Sequence, residues 1–265
     1  ESTPGGARIP QAQESLNRDM FRGTLAINYL GHGGSSGWAQ ERVLRQSDIS
    51  SWENYDRLPL FITATCSFAG FDEPDLNTAG ELAITRPDGG AIALFTTVRA
   101  VFAQQNKRLT DSVFDFLLKG GALDSPSRTI GEILRIAKDN AQASADNTLK
   151  FTLLGDPSMK LALPRYRVAT THINGVAVEG NPQDTIGALE KVTVRGLVTD
   201  DNGNVLEQFN GRIFPTVYDK ETVVSTLGQD ESSSPVEFRV QKSIIFKGAA
   251  TVRNGAFEFT FVVPQ

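Results

Sequence analysis

The feature that most constrains the fold is a change in hydrophobic periodicity near residue 164. Before it, short runs of almost only apolar residues alternate with stretches of helical spacing, a pattern typical of parallel strands joined by helices. After it, apolar and polar residues alternate, which is typical of antiparallel strands with one buried face. The sequence therefore predicts an α/β domain over residues 1–164 and an all-β domain over residues 165–265.

Three apolar runs predict buried parallel strands in the first domain: residues 24–30 (TLAINYL), 59–65 (PLFITAT) and 91–96 (AIALFT). A fourth strand is predicted over residues 159–163, just before Pro164. A parallel sheet of about four strands is small for an α/β domain. We therefore expect this region to be the C-terminal portion of a larger α/β domain that begins upstream.

Helical spacing of apolar residues predicts flanking helices over residues 9–21, 109–118 and 129–143. Thr78 and Glu81 have the spacing of a capping box, which predicts a helix that begins just after Thr78. A shorter helix is predicted with either Ser47 or Asp48 as its N-cap.

In the second domain, strand-like stretches cover residues 212–218, 236–246 and 250–253, and no helix is predicted. Asn254-Gly255 is a strong signal for a two-residue hairpin turn. Phe257, Phe259 and Phe261 then alternate with other residues, which predicts one aromatic face directed at a core. The length and pattern favour an immunoglobulin-like β-sandwich.

Charge and composition exclude several classes of function. The chain has 26 Lys and Arg against 31 Asp and Glu, a net charge of −5, which disfavours nucleic acid as the main partner. It has neither a run of about 18 apolar residues nor a signal-peptide pattern. One cysteine and two histidines exclude multi-cysteine metal sites and an internal disulfide.

That single cysteine, Cys66, and one of the two histidines, His32, directly follow predicted strands. The carboxyl ends of parallel strands meet at one edge of a sheet, where ligands bind in such folds. A thiol and an imidazole at neighbouring strand ends are the groups that a thiolate nucleophile and its acid/base partner require. The other histidine, His172, is predicted to be a strand residue of the second domain without chemistry.

Glycines around His32 add detail to the catalytic hypothesis. The N–H groups of Gly33 and Cys66 are candidates for an oxyanion hole, and Gly34 is expected to supply unusual backbone dihedrals. The alternative is that Cys66 is a small buried apolar residue and that the glycine segment is an ordinary turn.

Five blocks, in order, resemble a known family: NYLGHGGSSGWAQERVL, LPLFITATCSFAGFDEP, TAGELAI, GGAIALFTTVRAVF and FTLLGDPSMKL. They resemble the caspase–gingipain clan of cysteine peptidases and, within it, the gingipain family. The narrowest likeness is to PorU-type proteins, the C-terminal-signal peptidases or sortases of the Bacteroidetes type IX secretion system. The resemblance implies a caspase/gingipain-like parallel sheet with flanking helices, followed by an immunoglobulin-like domain.

The resemblance also implies roles for individual residues. Cys66 would be the nucleophile and His32 the general acid/base, with the N–H groups of Gly33 and Cys66 binding the oxyanion. The substrate-binding candidates, which follow the third strand, are Thr96, Thr97, Val98 and Arg99. Arg99 would hold a substrate carboxylate or, equally, form a structural salt bridge.

Acidic residues of the family that orient the histidine and define the arginine pocket would lie upstream of Glu1. Asp72, Glu73 and Asp75 follow Cys66 and are interpreted as a loop and helix-start feature rather than as substitutes. The family binds calcium, but no residues here form a diagnostic ligand set. We therefore predict no cofactor and assign no metal ligands.

Two functions follow from these observations. The first is a secreted or cell-surface cysteine endopeptidase that removes C-terminal secretion signals through a thioester, with water or a lipopolysaccharide amine as the acceptor. Its expected partners are cargo proteins and type IX components at the outer membrane. The alternative is a non-catalytic surface scaffold or adhesion module whose peptidase domain is degenerate or incomplete.

Overall fold

The structure is a computed structural model, and it describes residues 2–3, 6–119, 128–141, 145–179, 185–228 and 234–265. The chain divides into two compact units, Glu1–Leu163 and Pro164–Gln265.

Helices and strands alternate in the first unit, as the sequence predicts. The helices are α1 (Pro10–Arg22), α2 (Gln46–Ser50), α3 (Ala79–Thr85), α4 (Ala103–Phe114), which continues as a π-helical turn (Asp115–Lys119), α5 (Ile130–Asn140) and α6 (Ala145–Leu149). The strands are β1 (Ser2–Thr3), β2 (Gly6–Ala7), β3 (Ala26–Leu30), β4 (Gly33–Gly34), β5 (Gly37–Trp38), β6 (Leu44–Arg45), β7 (Leu60–Ala64), β8 (Ala93–Thr97) and β9 (Phe151–Leu154).

The central sheet has the order β3-β7-β8-β9. β3, β7 and β8 are parallel, as predicted, and every residue of β7 and β8 is buried. The fourth strand differs from the prediction in position and direction, because β9 pairs antiparallel with β8. The stretch over residues 159–163 is not a strand. Its apolar side chains Met159 and Leu161 pack against the core, and the Met159 carbonyl accepts the Ile130 N–H at the start of α5.

Helix starts follow the local capping chemistry. The capping box of Thr78 and Glu81 at α3 is confirmed. The cap predicted for α2 is wrong, because the N-cap is Arg45 and Asp48 lies inside the first turn, where its carboxylate accepts the Arg45 N–H at 2.9 Å.

One predicted helix start differs from the structure, and one predicted helix end lies outside the described residues. α4 begins at Ala103, earlier than the predicted 109, because its first turns (AQQNKR) are polar and carry no apolar spacing. At the far end of the predicted helix over residues 129–143, residues 142–143 lie outside the described residues.

Side chains alternate between the two faces of the central sheet and build two apolar clusters. Leu60, Ile62 and Ala64 of β7 pack on one face with α4 and α5. Phe61 packs on the other face with Trp38 and with residues of α1, α2 and α3. The result is a sheet covered on both faces, which is why its central strands have no polar face.

The second unit consists of strands among its described residues. They are β10 (Arg167–Ile173), β11 (Val176–Ala177), β12 (Lys191–Thr199), β13 (Gly211–Ile213), β14 (Thr216–Tyr218), β15 (Thr222–Ser225), β16 (Glu237–Val240), β17 (Ile244–Lys247), β18 (Ala250–Arg253) and β19 (Ala256–Val262). Six form an antiparallel sheet of order β11-β10-β12-β19-β18-β13, and β14–β17 and β15–β16 form two smaller sheets. Pro215 divides the predicted strand over residues 212–218, because proline has no N–H to donate to a ladder.

The hairpin and the aromatic face predicted for this unit are confirmed. Asn254 (φ 50°) and Gly255 (φ 73°) form the turn between β18 and β19, and both adopt the left-handed conformation that a type I′ turn requires. Phe257 and Phe261 of β19 are buried, and Phe246 of β17 stacks on Phe261 at 4.8 Å between ring centroids. The small β14–β17 sheet therefore packs against the aromatic face of the six-stranded sheet.

Candidate active site

His32 and Cys66 lie at equivalent positions beyond two neighbouring parallel strands. Leu30 and Ala64, the last residues of β3 and β7, are paired in register, and the histidine and the cysteine each follow two residues later. The Gly31 N–H donates to the Ala64 carbonyl at 3.4 Å, so the two chains stay adjacent past the strand ends. The sheet therefore delivers both groups to its carboxyl edge.

Both residues line one cavity of about 540 Å³. His32 is exposed and Cys66 is half-buried, and the Cys66 Sγ lies 4.0 Å from the Val101 carbonyl oxygen. The rest of the wall is mainly apolar and consists of Leu30, Gly31, Ala64, Thr65, Val101, Phe102, Ala103, Gln104, Asn106 and Lys107. The last three of these are polar side chains on α4. No carboxylate lines this cavity among the residues that the structure describes. We call it the apolar cavity.

Tyr29 supports the His32 backbone from the opposite face of the sheet. Its hydroxyl donates to the His32 carbonyl at 2.9 Å, and the Ala39 N–H donates to the same oxygen at 2.8 Å. The Tyr29 ring is stacked on buried Trp38 at 4.7 Å. Burial and, secondarily, the charge of Glu41 raise the pKa of the Tyr29 hydroxyl, so it remains a donor at neutral pH.

Sequence reasoning did not find this role of Tyr29. The only signal in the sequence was the position of Tyr29 in the predicted strand before His32. Because strand side chains alternate between faces, this position places Tyr29 on the face opposite to that of Leu30.

The Gly33 N–H is available to a substrate oxygen. Gly33 is paired with Trp38 in the β4–β5 hairpin, and the ladder bond next to it joins His32 to Ala39. Gly33 is therefore in a non-hydrogen-bonded pair, and its N–H points away from β5. A Cβ at this position would lie 3.0 Å from the Thr65 Cβ, so glycine also permits the hairpin to approach the β7 end closely.

The glycine that needs an unusual conformation is Gly37, not Gly34 as predicted. Gly37 has φ +143°, and a Cβ on it would lie 2.0 Å from the Leu44 carbonyl oxygen. Gly34 is outside the left-handed region, and a Cβ there would meet nothing within 4 Å. The close approach of β6 to β5 decides which glycine is needed, and the sequence pattern does not show that approach.

The segment after Cys66 turns sharply and runs beside the end of β8. Ser67 has φ +48°, and its N–H donates to the Arg99 carbonyl at 3.3 Å. The Ala69 N–H donates to the Thr97 carbonyl at 3.1 Å. The Cys66 N–H has no acceptor within the described part of the chain, so both proposed oxyanion donors are free.

The four substrate-binding candidates occupy different environments. Thr96 and Thr97 belong to β8 and are fully buried, and the Thr97 hydroxyl donates to the Thr65 carbonyl. Val98 is half-buried, and Arg99 is exposed. The Thr97 side chain thus supports the end of β7, next to Cys66, whereas the buried Thr96 hydroxyl has no hydrogen-bond partner among the described residues.

Arg99 is already paired inside the chain. Its Nη1 donates to the Asp72 carboxylate at 2.9 Å, and Glu73 lies 3.9 Å away. The hydrogen bond from Arg99 holds the pKa of Asp72 below its ordinary value. The two acids occupy a loop, as predicted, but no helix starts there, since α3 begins only at Ala79.

His32 also lines a second cavity, of about 670 Å³, on the side of the β4–β5–β6 hairpins. Arg42 and Arg45 contribute guanidinium groups to its lining, and Ser36, Gln40 and Ser47 are also present. Arg45 is held by Asp48 at 3.0 Å. We call this the basic cavity.

Within the described ranges, no group of three or more His, Cys, Asp and Glu residues is arranged to hold a metal ion. No described helix has the length and apolar character needed to cross a membrane. His172, in β10 of the second unit, has its Nδ1 3.0 Å from the Thr171 hydroxyl.

Comparison with known proteins gives one family match and several similar folds. Residues 1–162 match peptidase family C25. The fold is similar to that of the Arg-specific cysteine proteinase gingipain R (RgpB), with a TM-score of 0.52, 16% identity and coverage of 96% of this chain and 49% of that chain. A complex of Porphyromonas gingivalis RgpB pro- and mature domains gives a TM-score of 0.51 and 15% identity, over 96% of this chain and 50% of that chain.

A structure of dimeric latent PorU from Porphyromonas gingivalis is also found, with 30% identity and a TM-score of 0.37, over 68% of this chain and 17% of that chain. No curated protein matches the chain. The chain spans about half the length of the gingipain structures that it matches. Because the family match covers more than half of the chain, it confirms the resemblance seen in the sequence: the chain belongs to peptidase family C25, the cysteine peptidase family of the gingipains.

Proposed function

We propose that this chain carries the catalytic pair of a gingipain-type cysteine endopeptidase, with Cys66 as the nucleophile and His32 as the general acid/base. The observation that carries the proposal is the equal offset of the two residues from the paired ends of β3 and β7, which places them on one cavity. The N–H groups of Gly33 and Cys66 are the proposed oxyanion donors.

The proposed reaction is acyl transfer in two steps. In the first, the Cys66 thiol gives its proton to His32 while its sulfur bonds to the substrate carbonyl carbon, and the oxyanion accepts hydrogen bonds from the two N–H groups. The C–N bond then breaks, and His32 returns the proton to the leaving amine. In the second step an acceptor attacks the thioester carbonyl carbon and His32 takes the acceptor's proton. The C–S bond then breaks, and His32 returns the proton to the sulfur, which restores the thiol.

The identity of substrate and acceptor is a finer proposal. The motif blocks resemble those of PorU-type peptidases, and on that basis we propose that the substrates are C-terminal signal domains of type IX cargo. Water as the acceptor would make the enzyme a hydrolase, and a lipopolysaccharide amine would make it a sortase. The arginine specificity in the description of RgpB is not proposed for this chain, because the described wall of the apolar cavity has no carboxylate to pair with an arginine.

The same resemblance supports three further proposals. Residues 1–164 would be the C-terminal portion of the catalytic domain, and residues 165–265 an immunoglobulin-like domain. The protein would act at the cell surface, on the outer face of the outer membrane, beside type IX components. Thr96, Thr97, Val98 and Arg99 would border the substrate cleft, mainly through their backbone, because the two threonines are buried and Arg99 is paired with Asp72.

The alternative, a non-catalytic scaffold or adhesion module, is favoured by one observation. The His32 ring has no hydrogen-bond partner among the described residues, so no orienting acid is visible. A reactive cysteine and a silent one differ in alkylation rate, which separates the two functions.

The test uses the fact that Cys66 is the only cysteine of the chain, so any alkylation reports on it alone. We expect iodoacetamide to label folded Cys66 rapidly at neutral pH and His32→Ala to slow that labelling, with His172→Ala as the matched control. We expect Cys66→Ala to abolish cleavage of cargo. A folded thiol that reacts no faster than in urea, or unchanged cleavage by Cys66→Ala, would refute the catalytic role.

A further inference from the structure

The two cavities meet at His32, and the chemistry of acyl transfer assigns a side of the substrate to each. The general acid must reach the leaving nitrogen, so the leaving portion of the substrate lies on the histidine side of the nucleophile. The apolar cavity is lined by both Cys66 and His32, whereas the basic cavity is lined by His32 without Cys66. The basic cavity therefore borders the leaving amine and, in the second step, any acceptor amine.

The lining of this cavity is positively charged and has no acidic side chain. Arg42 and Arg45 line it together with His32 and the glycines of the β4–β5 hairpin. Both guanidinium groups therefore face the same space as the proposed general acid. The nearest acid to Arg45, Asp48, is buried and already accepts from the Arg45 N–H, the Arg45 guanidinium and Gln13. Asp48 therefore offsets the charge of Arg45, and Arg42 contributes the guanidinium charge that is not paired in this way.

Arg42 is the unused guanidinium of the site. It is exposed, its side chain has no hydrogen bond or ion pair within the described ranges, and its backbone is in the left-handed region at φ 59°. The pKa of Arg8 is lowered by desolvation and then by the charges of Arg42 and Arg45, which shows that three guanidinium groups share one region. The acid of this segment, Glu41, does not line the cavity.

We propose that the basic cavity is the leaving-side subsite and that it selects a peptide with an acidic residue next to the scissile bond. A planar guanidinium presents paired N–H donors that match a carboxylate, and Arg42 is free to do so. The hydroxyls of Ser36 and Ser47 can donate to the same group. The inference rests on the proposed function, because it uses the acid role of His32 to orient the substrate.

The test measures binding, so it does not depend on turnover. Cys66→Ala protein is titrated with fluorescent peptides that represent the leaving fragment, with a free amino terminus and either Glu or Gln as the first residue. We expect the Glu peptide to bind about 5- to 10-fold more tightly at low salt, between the values for an exposed ion pair and a charge-assisted hydrogen bond. The preference should decrease as salt is added.

Substitutions assign that preference to one side chain. Arg42→Gln in the Cys66→Ala background should remove the Glu preference, and Arg42→Lys should keep part of it while placing the same kind of unbranched side chain at the same φ. Arg135→Gln removes an equal charge from an exposed site on α5 and should change nothing. Equal binding of the Glu and Gln peptides, or equal losses in Arg42→Gln and Arg135→Gln, would overturn the proposal.

Failure of the subsite and failure of the catalytic proposal give different results. If Cys66 is alkylated rapidly but the peptides bind equally, the subsite is wrong and the catalytic pair stands. If Cys66 is inert but the Glu peptide binds through Arg42, the cavity is an anion site of a non-catalytic protein, and its assignment to a leaving amine is overturned.

Discussion

Replacing Gly37 by alanine should destabilise the hairpin that carries His32, whereas the same change at Gly34 should not. The two glycines are paired across β4 and β5, so the substitutions add the same methyl group to one short hairpin. At Gly37 the new Cβ would lie 2.0 Å from a backbone oxygen of Leu44, and no side-chain rotation relieves that overlap. At Gly34 the Cβ would enter open space.

The magnitude follows from two costs at Gly37. Moving β6 away from β5 is an overpacking cost of about 1–3 kcal/mol, and a non-glycine residue at positive φ adds about 1–2 kcal/mol. The free energy of unfolding should therefore fall by about 2–5 kcal/mol, a large part of the roughly 5–15 kcal/mol of a typical domain. Gly34→Ala should be neutral or stabilise by up to about 1 kcal/mol, because it reduces the entropy of the unfolded chain.

Urea unfolding followed by tryptophan fluorescence measures this difference. Both tryptophans, Trp38 and Trp52, are buried in the first unit, so the signal reports that unit alone. With a urea m-value of about 2 kcal/mol/M, Gly37→Ala should lower the midpoint by about 1–2.5 M. Equal midpoints for the two variants would refute the reasoning, since they would mean that the β5–β6 contact does not restrict residue 37.

Two further predictions concern contacts of the site. Tyr29→Phe removes the hydrogen bond to the His32 carbonyl but keeps the ring stack on Trp38, so kcat should fall about 2- to 10-fold with KM unchanged. The control Tyr55→Phe, at an exposed position, should have no effect. A parallel rise in KM in Tyr29→Phe would argue against a positioning role. Arg99 depresses the pKa of folded Asp72, so this pair stabilises the protein above the unfolded carboxyl pKa of about 3.9 and loses its effect as the pH falls towards the folded value. In acid unfolding, Asp72→Asn should therefore show less loss of stability below about pH 4 than wild type or Asp75→Asn, and identical acid profiles for all three would contradict the assignment.

The sequence predicted the parts of the fold that depend on local pattern. Buried strands at β3, β7 and β8 follow from nearly continuous apolar runs, and the capping box at Thr78 follows from two residues at fixed spacing. The sequence misplaced the fourth strand, because its position depends on contacts with residues distant in the chain. Met159 and Leu161 have strand-like alternation, but they pack on the core without a partner strand.

The candidate site shows the same division. His32 and Cys66 were found because each directly follows a strand, and strand ends are visible in a sequence. Arg42 and Tyr29 were not found, because their relevance depends on the hairpin fold of residues 33–45 and on the stack with Trp38. The Gly34 prediction failed for a related reason, since only the approach of β6 determines which glycine is needed.

The relation between the proposed catalytic pair and its surroundings follows from the alternation of side chains along β3 and β7. Successive strand residues point to opposite faces, so Leu30 and Ala64 share the face covered by α4. They line the apolar cavity together with α4 and with His32 and Cys66, which follow the two strand ends. Tyr29 and Phe61 share the other face, where both contact Trp38. If the pairing of β3 with β7 shifted by one residue, the side chains of one strand would move to the opposite face of the sheet. Leu30 and Ala64 would then no longer share a face. The packing of Trp38 against Tyr29 and Phe61 stabilises β3 and β7 in this register, in which His32 and Cys66 follow adjacent strand ends and line one cavity.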